Sequence, residues 1–106
     1  MKVIDIIKFK FLDIEYTIEY VDQIPDDNNK IIYGKIDYNE RKILISTKLN
    51  GNEIPSIIQT RTLYHELFHL ILDEGQYNDC SSDEPLVECL AKGLYELINK
   101  TNLFNK

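Results

Sequence analysis

Thr62-Leu63-Tyr64-His65-Glu66-Leu67-Phe68-His69-Leu70-Ile71 is the stretch on which the reading of this 106-residue chain turns, because it holds both histidines, in the order His-Glu-x-x-His. Residues four apart on a helix stack one turn above each other, about 5–6 Å apart at Cβ. Two imidazoles so placed can each give a ring nitrogen to one Zn²⁺ at roughly 2.0–2.1 Å. Glu66 projects about 100° round the helix from His65. That suits a general base acting on a water beside the metal without ligating the metal itself. Glu66 is also the one charged residue between Thr62 and Leu72. A metal face this apolar is dry, and a dry surrounding tunes the basicity of the groups it holds.

Working outward, a long helix is expected from Glu53 or Pro55 to Asp73. Pro55 suits its first turn and Gly75 its C-terminal cap. Ile57, Ile58, Leu63, Leu67, Leu70 and Ile71 supply its apolar stripe. Residues 76–83 are polar and read as an irregular loop beside the site. Pro85 then opens a second helix over residues 86–100, with Val87, Leu90, Ala91, Leu94, Leu97 and Ile98 on its core face and Cys89 as a small buried residue.

Catalytic zinc sites take three protein ligands and keep the fourth position open. No third histidine exists, so the third ligand must be a carboxylate or a cysteine. The second helix offers Glu84 and Glu88, four apart. Glu84 precedes proline, which biases it away from the α region and towards a capping role. Glu88 stands at the end of the first turn and is the better-held ligand, with Glu84 as the alternative. Cys80 is a weaker option. Asp73, Asp79 and Asp83 are candidates to accept the histidines' second N–H. A hydrolase also needs a hydrogen-bond donor for the developing oxyanion; Tyr95, two turns after Glu88, and Tyr77 are the residues to test.

These residues resemble the zincin metallopeptidases. The helix is uncharged around His-Glu-x-x-His and apolar after it, and Glu88-Cys89 follows His69 by nineteen positions. In the glutamate-ligand zincins a glutamate followed by a small residue stands about there, on the next helix. More narrowly, residues 62–98 look like the small phage- and prophage-encoded proteins related to the ImmA/IrrE metallopeptidases. Glu88-Cys-Leu-Ala-Lys-Gly-Leu is similar to a degenerate form of that group's second helix. Cys89 stands where the group has alanine, and Lys92 where some glutamate-ligand zincins carry an acid. The resemblance implies a minimal zincin-like fold and peptide hydrolysis, with Zn²⁺ held by His65, His69 and Glu88. Its precedent for a substrate is a regulator protein cleaved in the bacterial cytoplasm.

Upstream the periodicity changes to two. Residues 3–11 and 14–21 read as strands; Ile14, Tyr16, Ile18 and Tyr20 face one way and Glu15, Thr17, Glu19 and Val21 the other. Residues 22–30 are a loop by composition. Residues 31–38 and 42–47 read as a hairpin closed by Asn39-Glu40-Arg41, and Leu49-Asn50-Gly51-Asn52 breaks the pattern again. The expected fold is α+β: an antiparallel sheet of about four strands, then two helices packed on it and on each other, all in one domain.

The bounds agree with this class. Apolar residues make up 43% and charged residues 28%, ordinary for a globular chain. The net charge of −6 with no clustered Lys and Arg argues against nucleic acid as a partner. Asp5, Lys8 and Lys10 interrupt any N-terminal apolar run, and no stretch is long enough for a membrane helix, so a cytoplasmic location is expected. The function expected is metal-assisted hydrolysis of a peptide bond, with Glu66 moving the proton and the substrate laid along an exposed strand edge. The rival from another class is a catalytically inactive binding module of a phage or mobile element, built on the same scaffold with structural or vestigial zinc.

Overall fold

The structure, a computed structural model, describes residues 1–104. The chain is a mixed α+β protein, sheet first and helices after. It forms two compact units, Met1–Gln59 and Thr60–Lys106.

In the first unit, β1 (Val3–Phe11) and β2 (Ile14–Val21) make an antiparallel hairpin. Leu12 and Asp13 close it with φ of 51° and 64°, the left-handed pair whose twist matches that of the flanking strands. β3 (Ile24–Pro25) and β4 (Ile31–Ile32) pair inside the stretch expected to be loop and strand start. β5 (Gly34–Asp37) and β6 (Lys42–Ser46) form the expected hairpin, Asp37 facing Lys42. Asp37 Oδ1 accepts the Glu40 N–H at 3.1 Å within the turn.

The four-stranded sheet has the order β1-β2-β6-β5. It is mixed, where an all-antiparallel sheet was expected: β2 and β6 run parallel, Thr17 beside Lys42 through to Val21 beside Ser46. The reason is burial. Ile43, Leu44, Ile45 and Ser46 are all buried, so β6 takes an inner place, as strands apolar on both faces do. Its hairpin partner β5 is thereby left outside. β6 then reaches β2 only through the long crossover that parallel neighbours require.

Val21, Ile24 and Leu44 form a buried cluster, with Ile32 packed on it. The buried Ser46 hydroxyl belongs to the same region and is satisfied twice, donating to the Ile32 carbonyl at 2.6 Å and accepting the Ile24 N–H at 3.1 Å. Glu19, buried on β2, is paired with Lys42 Nζ at 3.2 Å. β7 (Lys48–Leu49) and β8 (Asn52–Glu53) make a small hairpin where the sequence indicated only a break. Asn50 and Gly51, with φ of 51° and 84°, are its turn, and Asn-Gly is the commonest dipeptide for that geometry.

Helix α1 (Ser56–Glu74) crosses the division between the units. Its C-terminus is capped differently from expectation. The Tyr77 N–H bonds the Leu72 carbonyl at 2.8 Å and the Gln76 N–H bonds the Asp73 carbonyl at 3.1 Å, a Schellman motif. The left-handed residue in it is Gln76, with φ of 66°, and Gly75 sits one position earlier. A Cβ on Gly75 would lie 3.1 Å from the Ile71 carbonyl oxygen, so the glycine serves close approach.

A one-turn helix, α2 (Asn78–Ser81), follows where an irregular loop was expected. α3 (Glu84–Asn99) then begins two residues before the predicted start. Asp83 is its N-cap, Oδ1 accepting the Leu86 N–H at 3.2 Å. Glu84 is therefore inside the first turn; the cap supplied by Asp83 outweighs the bias that a following proline imposes on Glu84. Leu70 of α1 and Val87 and Ala91 of α3 are buried, whereas Ile57, Ile58, Ile71, Leu90, Leu97 and Ile98 of the expected apolar stripes are exposed. Cys89, expected to be buried, is exposed as well. Among the described residues, no helix is long and apolar enough to cross a membrane.

Candidate metal centre

His65 and His69 lie on adjacent turns of α1 with ring centroids 4.9 Å apart and Nε2 atoms 3.2 Å apart. The early start of α3 puts Glu84 and Glu88 one turn apart on one face of that helix. The two carboxylates take opposite sides of one imidazole. Glu84 Oε2 lies 2.9 Å from His65 Nε2, and its other oxygen, Oε1, lies 3.0 Å from His69 Nε2. Glu88 Oε2 lies 2.9 Å from His65 Nδ1. His69 Nδ1 in turn meets the Ser81 hydroxyl at 3.0 Å.

The set that can hold a metal ion is therefore His65, His69 and Glu84, whose ligand atoms lie within 4.8 Å of one another. Glu88, the sequence's preferred third ligand, stands on the far nitrogen of His65, and Glu84, the alternative, stands on the near one. Two atoms bound tetrahedrally at zinc distances are about 3.4 Å apart. The 3.2 Å between the histidine nitrogens is close to that.

Carboxylates face both ring nitrogens of His65, Glu84 at Nε2 and Glu88 at Nδ1, and a carboxylate only accepts hydrogen bonds. Either a proton on each nitrogen or a metal ion at Nε2 satisfies that arrangement. The group is open on one side. Its histidine side chains are 19% and 16% exposed, while that of Glu84 is 64% exposed, so solvent reaches the group past Glu84.

Glu66 is one of two buried residues of α1, 7% exposed. Its Oε2 has no hydrogen-bond partner among the described residues. Burial raises its carboxyl pKa from the ordinary 4.5 to about 7, with His65 opposing and the negative charge of Glu84 adding to the rise. An unpartnered buried carboxylate oxygen is costly, and such groups cluster where they are used.

The other sequence candidates fall elsewhere. Tyr95 is half-buried, and its ring meets Tyr64 at 6.3 Å between centroids. Its carbonyl accepts from Asn99 Nδ2, which also donates to the Tyr64 hydroxyl. Tyr77 is exposed. Asp83 caps α3, and the histidines' outer partners are Glu88 and Ser81 in place of Asp73, Asp79 or Asp83. A serine in a polar loop carries no sequence signal for this role. The Glu84–Glu88 spacing did carry one, because residues four apart on a helix act on the same neighbour.

No family model, curated protein or solved structure matches the chain.

Proposed function

We propose that this chain is a zinc-dependent peptidase of minimal zincin-like form, in which His65, His69 and Glu84 hold the metal and Glu66 is the general base. The observation that carries this reading is the convergence of both Nε2 atoms and the Glu84 carboxylate within 3.2 Å, beside a buried glutamate oxygen with no partner among the described residues. Two histidines and one carboxylate are one of the ligand sets that catalytic zinc takes. When bound, zinc supplies Lewis-acid polarisation of a carbonyl and of a water.

The chain's own residues do the rest. Glu88 holds the Nδ1 proton of His65, which turns Nε2 towards the metal and raises its basicity. Glu66 is poised for proton transfer at Oε2, where its buried carboxylate would take a proton from the attacking water and return it to the leaving amine. The exposure of Glu84 leaves the side on which a peptide approaches. The resemblance to the ImmA/IrrE group supports a protein or peptide substrate of the regulator class in the cytoplasm.

The binding-module reading is favoured by one observation: the tyrosine expected to serve the oxyanion, Tyr95, packs against Tyr64 and Asn99. The test separates the two. Zinc-loaded wild type and Glu66→Gln are incubated with a proteome-derived peptide library, and new termini are read by mass spectrometry. Wild type should cleave a defined subset, and Glu66→Gln, still binding zinc, should fall by about 10²–10⁴-fold. No new termini from the zinc-loaded wild type, or equal cleavage by the variant, would overturn the peptidase reading and leave a metal-bearing binding module.

A further inference from the structure

The Glu88 contact accounts for the outer nitrogen of His65 but leaves that of His69 to a different kind of group. Ser81 ends the single turn of α2 and is 5% exposed. Its Oγ lies 3.0 Å from His69 Nδ1, reaching back across twelve residues of chain. Backbone bonds hold it there. The Ser81 N–H bonds the Tyr77 carbonyl at 2.9 Å, the Tyr77 N–H is tied to Leu72 of α1 at 2.8 Å, and the Asp83 N–H is tied to Cys80 at 3.1 Å. The segment read as an irregular polar loop is thus a fixed bracket running from the end of α1 to the start of α3.

We propose that Ser81 is a positioning residue for the metal centre: its buried hydroxyl accepts the Nδ1–H of His69 and so turns His69 Nε2 towards the ion. This rests on the metal reading above. For Nε2 to bind a metal with the imidazole neutral, the ring proton must sit on Nδ1, and the partner of Nδ1 sets that choice. Ser81 can accept that proton without adding charge. The two histidines are therefore held unequally. His65 faces a carboxylate that accepts only, and that locks one tautomer. His69 faces a hydroxyl that can accept or donate, which fixes the plane of the ring while leaving its tautomer to be decided by the ion. Burial keeps water from competing for the Ser81 hydroxyl, so the contact acts at low local dielectric.

The test is zinc affinity, by competition with a chromogenic chelator, for wild type, Ser81→Ala and Ser81→Thr, with the visible spectrum of the Co²⁺ form as a second readout. The alanine variant should bind zinc about 10–100-fold more weakly and shift the Co²⁺ bands. The threonine variant, which keeps the hydroxyl, should recover most of the affinity. The metal-free proteins should melt alike. Wild type and Ser81→Ala binding within two-fold of each other would overturn the role of Ser81 alone; a wild type that binds no zinc would overturn the metal reading with it. Should the alanine variant fail to fold, long-range ¹H–¹⁵N spectra of zinc-loaded wild type decide the matter. A His69 Nδ1 proton protected from exchange supports the contact, and one exchanging as freely as a surface imidazole proton contradicts it.

Discussion

Glu84 and Glu88, one turn apart on α3, grip opposite nitrogens of the same histidine, each at 2.9 Å from His65. That relationship divides their roles. In the proposed metal centre a carboxylate on Nε2 would be a ligand, whereas a carboxylate on Nδ1 would act through the ring. Glu88→Gln keeps the shape and can still accept the Nδ1–H, but loses the negative charge that raises the basicity of the imidazole. It should weaken zinc binding by less than Glu88→Ala, which removes the contact. Isothermal titration of the two variants with zinc checks the ordering.

The position of Glu84 depends on where α3 begins, and Asp83 sets that beginning through its bond to the Leu86 N–H. Replacing such a cap by alanine costs about 1 kcal/mol. Asp83→Ala should therefore lower the melting temperature modestly and also weaken zinc binding, although Asp83 is not a ligand. Asp83→Ser, which keeps a capping oxygen, should restore both. Thermal melts and zinc titrations of the pair provide the check.

Glu66 gives the metal-free protein a pH dependence whose sign follows from its burial. Its folded pKa is raised to about 7 from 4.5, so the folded chain keeps a proton that the unfolded chain releases. Its contribution to stability is fully present below about 4.5 and is lost as pH rises through about 7. The loss has an upper bound of about 3 kcal/mol. His65 and Glu84 are the charged neighbours that act on it. Glu66→Gln should remove this slope and be the more stable protein at pH 8 in chelator. Urea melts of both proteins across pH 4.5–8 measure the difference.

Gln76 occupies a left-handed position at the end of α1, with φ of 66°, where a side chain costs roughly 1–2 kcal/mol and glycine costs little sterically. Part of that gain is offset by the greater freedom of glycine in the unfolded chain. Gln76→Gly should stabilise the protein by about 0.5–1 kcal/mol, read as a higher denaturation midpoint with zinc affinity unchanged.

What was legible in the sequence follows the strength of each local signal. The β1–β2 hairpin, the β5–β6 hairpin and the two longer helices were readable because periodicity two and periodicity 3.6 persist over a full element. The parallel pairing of β2 with β6 was not, since strand order is decided by which strand is buried on both faces. Ile43-Leu44-Ile45 carried that clue as an unbroken apolar run. The His-Glu-x-x-His helix declared His65, Glu66 and His69 together. Glu84 and Glu88 were legible as a pair, but which of them stands beside both Nε2 atoms was not, because α3 starts two residues earlier than the proline suggested and Glu84 lies inside its first turn. Ser81 was invisible, because its role comes from a turn that folds back through space and not from spacing along the chain.

The central claim is that His65, His69 and Glu84 bind one zinc, with Glu88 supporting from behind. The most direct measurement is zinc stoichiometry and affinity, by mass spectrometry and chelator competition, on purified wild type, Glu84→Ala and Glu88→Ala. The account predicts one zinc per chain in wild type. Glu84→Ala should lose more than about 100-fold in affinity, and Glu88→Ala should keep one zinc at about 10–100-fold weaker affinity. Zinc retained in Glu84→Ala but lost in Glu88→Ala, or absent from wild type supplied with it, would contradict the account.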